Sequence, residues 1–317
     1  VVSAPAGFGK STLLAEWLTG DPGLAMAWLS LDARDGDTTT FWTYVVASLR
    51  TVAPGIGESA ASILRTTPAD PQAVVAALIA DLHQLDQRVV LVLDDYHLIE
   101  APDVHGAVAD LVDHLPAGVS VALSTRVDPP LPLARLRAAG DLVELRAADL
   151  RFSADEAAQY LRESMGLDLT AAHVATLETR TEGWIAALQL AALSMQGRDD
   201  VTSFIDSFAG DDRFVVDYLA SEVLQRQPPD IRRFLLDTSV LGRLTGPLCD
   251  AVSGRADGTA LLELLERRNL FVVPLDDRRR WFRYHHLFAD VLRAHLVADR
   301  PGDPPELHRR ASAWFAA

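Results

Sequence analysis

The run Ala4-Pro5-Ala6-Gly7-Phe8-Gly9-Lys10-Ser11-Thr12 places small residues ahead of a lysine and two hydroxyls. Such a run can hold a polyphosphate. Gly7 and Gly9 allow backbone N–H groups between Ala6 and Thr12 to converge on an anion without Cβ interference. Lys10 would reach the outer phosphates, and the Ser11 hydroxyl would occupy one position on Mg²⁺. The pattern G-x-x-x-x-G-K-[ST] expects glycine where this chain has Ala4. Among the 29 Lys and Arg residues, Lys10 is the sole lysine, where a compact ammonium on a flexible stem suits phosphate.

A second constellation follows Val89-Val90-Leu91-Val92-Leu93, where Asp94 and Asp95 close an apolar run. Asp94 is placed to hold Mg²⁺ through water, and Asp95 to orient or deprotonate a water attacking the terminal phosphate. Helix capping is the plainer use of the pair, and the upstream loop favours the chemical one. Arg126, in the Thr125-Arg126 that ends the run Val119–Ser124, either senses that phosphate or is an ordinary surface arginine. His97 and His105 lie beyond the acidic pair without metal-ligand spacing and read as packed or exposed imidazoles. Asp32, Asp35 and Asp37 lack the glutamate of a calcium loop and read as turn and capping residues.

These residues need a sheet to bring them together. The loop follows a short strand at Val1–Ser3 and opens a helix, so the helix N-terminus adds its partial positive charge. Apolar runs at Ala25–Leu31, Val89–Leu93, Val119–Ser124 and Leu142–Leu145 alternate with helical periodicity at Thr38–Leu49 and Pro71–Leu85. The pattern predicts a doubly wound parallel α/β domain over 1–150, with ligands at the carboxyl ends of its strands. From Ser153-Ala154-Asp155-Glu156, a capping box, only helices follow, predicting a helical lid over 151–210. Gly183 allows close backbone approach there, and Trp184 beside it reads first as a core tryptophan.

Helices at Asp212–Arg226, Asp230–Thr238 and Gly258–Asn269 precede a hairpin, Leu270–Leu275 and Trp281–Tyr284, then a helix at Leu287–Val297. That order predicts a winged helix over 211–300, a linker at Pro301–Pro305 and a new helix from Glu306. Arg278-Arg279-Arg280 at the hairpin tip reads as a solvated turn.

Composition bounds the function. The net charge of −15 opposes nucleic-acid binding, which demands a basic face. No apolar run approaches the roughly 20 residues of a membrane helix. A lone Cys249 excludes a disulfide framework and fits a reducing, cytoplasmic setting. Without an initiator Met, the chain reads as an excised fragment.

The order of motifs resembles the MalT-type signal-transduction ATPases, the large LuxR-family activators of the STAND class. It comprises the Ala4–Ser11 loop, Trp28–Asp32, Asp94-Asp95-Tyr96-His97-Leu98-Ile99, Ser124-Thr125-Arg126, Glu182-Gly183-Trp184 and Trp281–His285. The resemblance implies a P-loop NTPase domain, a helical lid and a winged helix, with 301–317 beginning a helical-repeat sensor arm. It implies an ATP/ADP and Mg²⁺ switch with slow hydrolysis, in which inducer and ATP drive self-association. DNA would be bound by a C-terminal domain outside this chain. Carried over by position, Lys10 and Ser11 are the Walker-A lysine and hydroxyl, Asp94 and Asp95 the Walker-B pair, and Arg126 the sensor arginine. Gly183 falls where relatives approach adenine, although Trp184 and no proline follows. His285 falls on the winged-helix histidine that contacts ADP, with His286 offering a second register.

Overall fold

Alternate residues of the predicted central strand face two different layers. In the computed structural model Val89, Leu91 and Leu93 join a core that includes Phe41, Trp42, Leu78 and Leu111. Val90 instead faces a groove walled by Leu13, Leu14, Trp17 and Leu133. A strand buried on both sides needs helices on both sides, and an uninterrupted apolar run is its sequence mark. The structure describes residues 1–317 except 22, 67–69, 197–199, 209–211, 277 and 317.

The chain forms two units, one of Val1–Ala4 with Gly9–Arg146 and one of Pro5–Phe8 with Ala147–Ala317. In the first, β1 (Val2–Ser3), α1 (Lys10–Thr19), β2 (Leu24–Ser30), α2 (Thr38–Arg50), α3 (Glu58–Leu64), α4 (Pro71–Leu82) and β3 (Arg88–Asp94) follow in order. Next come α5 (Pro102–Asp113), β4 (Val119–Thr125), α6 (Leu133–Ala139) and β5 (Leu145–Arg146). All strands are parallel in the order β2-β3-β4-β1-β5. Asp37 and Asp70 cap α2 and α4 through their carboxylates. Asp32 and Asp35 form a capping box on the short turn at Ala33–Gly36, as turn duty predicts.

The last strand is shorter than predicted. Leu145 and Arg146 pair with Val2 and Ser3, and upstream of them the Val1 amino group donates to the Val143 carbonyl at 2.7 Å. An apolar groove of about 930 Å³ flanks this region, and none of Lys10, Ser11, Asp94 or Asp95 lines it. The chemistry and this apolar groove are therefore separate.

The second unit begins with α7 (Ala154–Glu163), where Ser153 and Glu156 form the predicted capping box. It continues through α8 (Ala171–Thr181), α9 (Ile185–Met195), α10 (Val201–Ser207) and α11 (Arg213–Leu219), whose last turn extends as a π-helical segment to Leu224. The predicted lid boundary at 210/211 lies outside the described residues. Then come α12 (Pro229–Thr238), α13 (Gly246–Ser253) and α14 (Gly258–Arg267). An antiparallel hairpin, β6 (Val272–Pro274) with β7 (Phe282–Tyr284), precedes α15 (His286–Asp299) and α16 (Asp303–Ala316). Leu244 bridges to Phe282 and gives the hairpin a third, short edge. The predicted linker at 301–305 is partly helical, because Pro304 and Pro305 sit in the first turn of α16, where no N–H partner is needed.

Among the described residues no helix is long and apolar enough to cross a membrane.

Candidate functional site

The loop from β1 to α1 has the backbone that its glycines permit. Gly7 and Gly9 have φ of +73° and +72°, in the left-handed region that favours glycine. Ala4 is not in that region, so nothing in its backbone demands glycine there. It is fully buried, its N–H donates to the Thr125 carbonyl at 3.2 Å, and its own carbonyl accepts from Lys10 Nζ at 3.0 Å. Lys10 is buried, and its pKa falls to about 8 through burial first and then Arg126, with Asp95 and Asp94 opposing.

Parallel pairing brings the second constellation to the same edge. Leu93 pairs with Leu123 and Val2 with Ser124, so Asp94 and the ends of β4 and β1 lie side by side. Ser11 Oγ donates to Asp94 Oδ1 at 2.9 Å, which joins the two residues predicted to hold Mg²⁺. Both present hard oxygen donors, the type that Mg²⁺ requires. Ser124 Oγ also donates to Asp94 Oδ1. Asp95 has φ 57°, and its N–H donates to both Ser124 Oγ (3.1 Å) and Asp94 Oδ1 (3.2 Å). His97 Nδ1 stands 3.8 Å from Asp95 Oδ1. His105 is buried against the Tyr96 hydroxyl at 2.9 Å, the packed one of the two alternatives left open for it. Arg126 follows β4 directly and acts on Lys10 through its charge. Lys10, Ser11, Asp94, Asp95 and Arg126 are thus gathered at one end of the sheet.

In the second unit, loop residues Pro5–Phe8 are gripped by helices far along the chain. Trp184 Nε1 donates to the Ala6 carbonyl at 3.1 Å, and the Ala186 N–H donates to the Gly7 carbonyl at 3.2 Å. A Cβ on Gly7 would come within 2.5 Å of Ala186 Cβ, so glycine is required here for contact as well as for torsion. Phe8 is buried, its ring 6.3 Å from both Trp184 and Phe271, and Trp184 also meets His285 at 5.9 Å. Trp184 is the predicted core tryptophan, with an indole N–H that serves the loop.

The turn before Trp184 is held by charge. Arg283 grips Glu182 with two bonds of 2.7 Å, the His286 N–H donates to it at 3.1 Å, and Arg151 lies at 3.5 Å. Burial works to raise the Glu182 pKa, yet Arg283, His285 and the His286 amide hold it at about 2. Gly183 (φ 69°) packs on the Phe152 backbone, accepting its N–H at 2.9 Å, and a Cβ there would meet the Phe152 oxygen at 2.4 Å. The close approach predicted at Gly183 is therefore made to Phe152. His285 is buried, and Nε2 donates to the Thr181 carbonyl at 3.0 Å. That bond fixes the proton on Nε2, and the buried Nδ1 has no hydrogen-bond partner among the described residues. Burial, helped by Arg151 and Arg283 against Glu182, lowers its pKa to about 4. His286 points outward, so His285 is the inward register.

Sequence reasoning assigned no role to Ser124, Glu182 or Arg283. Each stands inside a quoted motif, and the signal lay in motif pairs: Glu182-Gly183-Trp184 and Arg283-Tyr284-His285 hold each other.

A Walker-type loop on a five-stranded parallel sheet, with a winged helix later in the chain, defines a P-loop NTPase linked to a winged-helix domain. Residues 220–304 match the MalT winged helix domain, and over its whole length the chain is related to one region of MalT and PknK. It is 39% identical to the serine/threonine-protein kinase PknK of Mycobacterium tuberculosis and 35% identical to the HTH-type transcriptional regulator MalT of Yersinia enterocolitica. All of this chain is covered in both cases, and it spans 29% and 35% of those proteins. Among solved structures, the Walker-type ATPase of Pyrococcus abyssi shares the fold, with a TM-score of 0.59 at 16% identity over 92% of this chain and 90% of that one.

Proposed function

We propose that this chain is an ATP/ADP-binding signal-transduction switch with slow ATP hydrolysis, controlling inducer-dependent self-association of a LuxR-family transcriptional activator. The observation that carries the reading is the 2.9 Å bond between Ser11 and Asp94 beside the buried Lys10. Backbone N–H groups from Ala6 to Thr12 hold the phosphates, Lys10 neutralises them, and Arg126 faces the terminal one. Ser11 and Asp94 are the residues for Mg²⁺, which when bound offsets phosphate charge. Asp95 orients the attacking water and accepts its proton. Gly183 and His285 are the further nucleotide contacts that the resemblance implies, and both belong to the second unit. DNA binding belongs to a domain beyond this chain, and a cytoplasmic location accords with the role.

Denaturing the purified protein and identifying the released nucleotide tests the binding half. Bound ADP is expected; an empty protein showing no thermal shift with ADP or ATP sinks it. Asp95→Asn tests the hydrolytic half. It should lower turnover at least about 10²-fold, the usual contribution of a positioned base, with ATP affinity retained. Phosphate release at background in the wild-type and variant proteins alike would leave the alternative, a nucleotide-binding regulatory module without meaningful hydrolysis.

A further inference from the structure

We propose that Ser124 is the positioning residue that fixes both carboxylates of the acidic pair, an inference that rests on the nucleotide reading above. Its side chain is fully buried and makes two bonds at once. The hydroxyl donates to Asp94 Oδ1 and accepts from the Asp95 N–H at 3.1 Å. The Asp95 N–H also reaches Asp94 Oδ1, which closes a small ring through both acids and the serine.

Two consequences follow from that ring. Asp94 Oδ1 receives Ser11, Ser124 and the Asp95 amide, so its rotamer is set by three donors. When the Ser11 hydroxyl turns to Mg²⁺, Ser124 and the Asp95 amide still hold Asp94 in place. Asp95 is a non-glycine residue in left-handed backbone, a conformation that persists only where the surroundings over-determine it. Ser124 supplies an acceptor to the N–H of that residue and thereby sets the direction from which the Asp95 carboxylate leaves the strand. Arg126 lies two residues further along the same chain, so one strand end aims both acids and delivers the proposed phosphate sensor.

A serine that merely satisfied its own hydroxyl would affect stability and nothing else. The test therefore compares Ser124→Ala with Ser124→Thr, whose β-branched side chain suits a strand and keeps the hydroxyl. In the nucleotide-free protein, amide exchange at Asp95 should quicken at least about 10-fold in Ser124→Ala and return toward wild type in Ser124→Thr. The gain in ATP affinity on adding Mg²⁺ should fall about 10-fold in Ser124→Ala, with Mg²⁺-free ADP affinity unchanged. The loss of phosphate release should appear in kcat rather than KM.

Wild-type exchange at Asp95 in a folded Ser124→Ala protein overturns the positioning role whatever the nucleotide data show. A wild-type protein that binds no Mg²⁺–nucleotide, with exchange responding as expected, overturns the functional reading and the catalytic meaning of the ring together. Should Ser124→Ala not fold, a folded Ser124→Thr protein with wild-type exchange and Mg²⁺ dependence supports the role, and one with Mg²⁺ dependence lost contradicts it.

Discussion

Lys10 and His285 are both buried bases held below their ordinary pKa, and each gives a pH signature of its own. Below pH 8 both the folded and unfolded chains carry the Lys10 charge, and burial together with Arg126, net of Asp95 and Asp94, costs about 3 kcal/mol. Between about 8 and 10.5 the unfolded chain holds the proton that the folded one has released, so stability rises with pH across that window. Phosphate needs the ammonium, so ADP affinity should weaken as pH rises through 8. Calorimetric titration checks this, and Lys10→Met should lose about 10- to 100-fold in affinity, the value of hydrogen bonds to charged groups. Equal affinity in that variant would remove Lys10 from the site. His285 works in the acid range. Its folded pKa of about 4 against 6.5 means that the unfolded chain binds the extra proton between those values, so stability falls as pH drops from 6.5 to 4. Glu182, held at about 2, adds its own loss only below 4.5. Urea unfolding at pH 6.5 and 4.5 should show the first loss, and His285→Gln should flatten it.

The turn between α8 and α9 depends on an ion pair with β7, and that pair should dominate the stability of the second unit. Glu182 is almost completely buried, so removing Arg283 strands a carboxylate. Arg283→Met is expected to cost about 3–5 kcal/mol in denaturant unfolding, and the double variant Glu182→Gln/Arg283→Met should recover part of it. Additive costs in the cycle would show that the bonds do not couple. This pair also marks where sequence reading stopped. The strands were legible because Val89–Leu93 is an apolar run buried throughout and Val119–Ser124 is a largely apolar one anchored by buried Val119 and Leu123, and the capping box at Ser153 announced α7. The loop, the acidic pair and Arg126 were legible because each sits at a strand end. Helices α3, α10 and α13 went unread because at seven or eight residues they complete too few turns for periodicity to register. The grips on Ala6, Gly7 and Glu182 link residues about 100 or more positions apart, and no local pattern encodes them. Pro304 and Pro305 misled for the opposite reason: a first helical turn tolerates what a helix interior rejects.

At the scale of the whole chain, charge and connectivity argue in different directions. A net charge of −15 leaves no general attraction to phosphate backbones, and Arg279 at the hairpin is already paired with Glu266 at 3.2 Å. Random duplex DNA should therefore show no retarded band with this chain, even at low salt; a salt-sensitive shift would restore the winged helix as a DNA reader. Connectivity carries the stronger expectation. The proposed phosphate loop is divided, with Ala4 and Gly9 in the first unit and Pro5–Phe8 in the second. A nucleotide that orders Pro5–Phe8 is expected to steady the helices that hold those residues. With ADP at 100 times its Kd, linkage adds about 2.7 kcal/mol to whatever unfolds with the site. Hydrogen exchange can locate that gain. ADP should slow exchange at the Ala186 N–H, which donates to the Gly7 carbonyl, as well as along β3. Trp184→Phe keeps a ring against Phe8 but removes the donor to Ala6, so it should reduce the effect at Ala186 and leave that at β3. Protection confined to β3 in the unaltered protein would mean that the shared loop passes nothing on, and the switch would have to run through another connection.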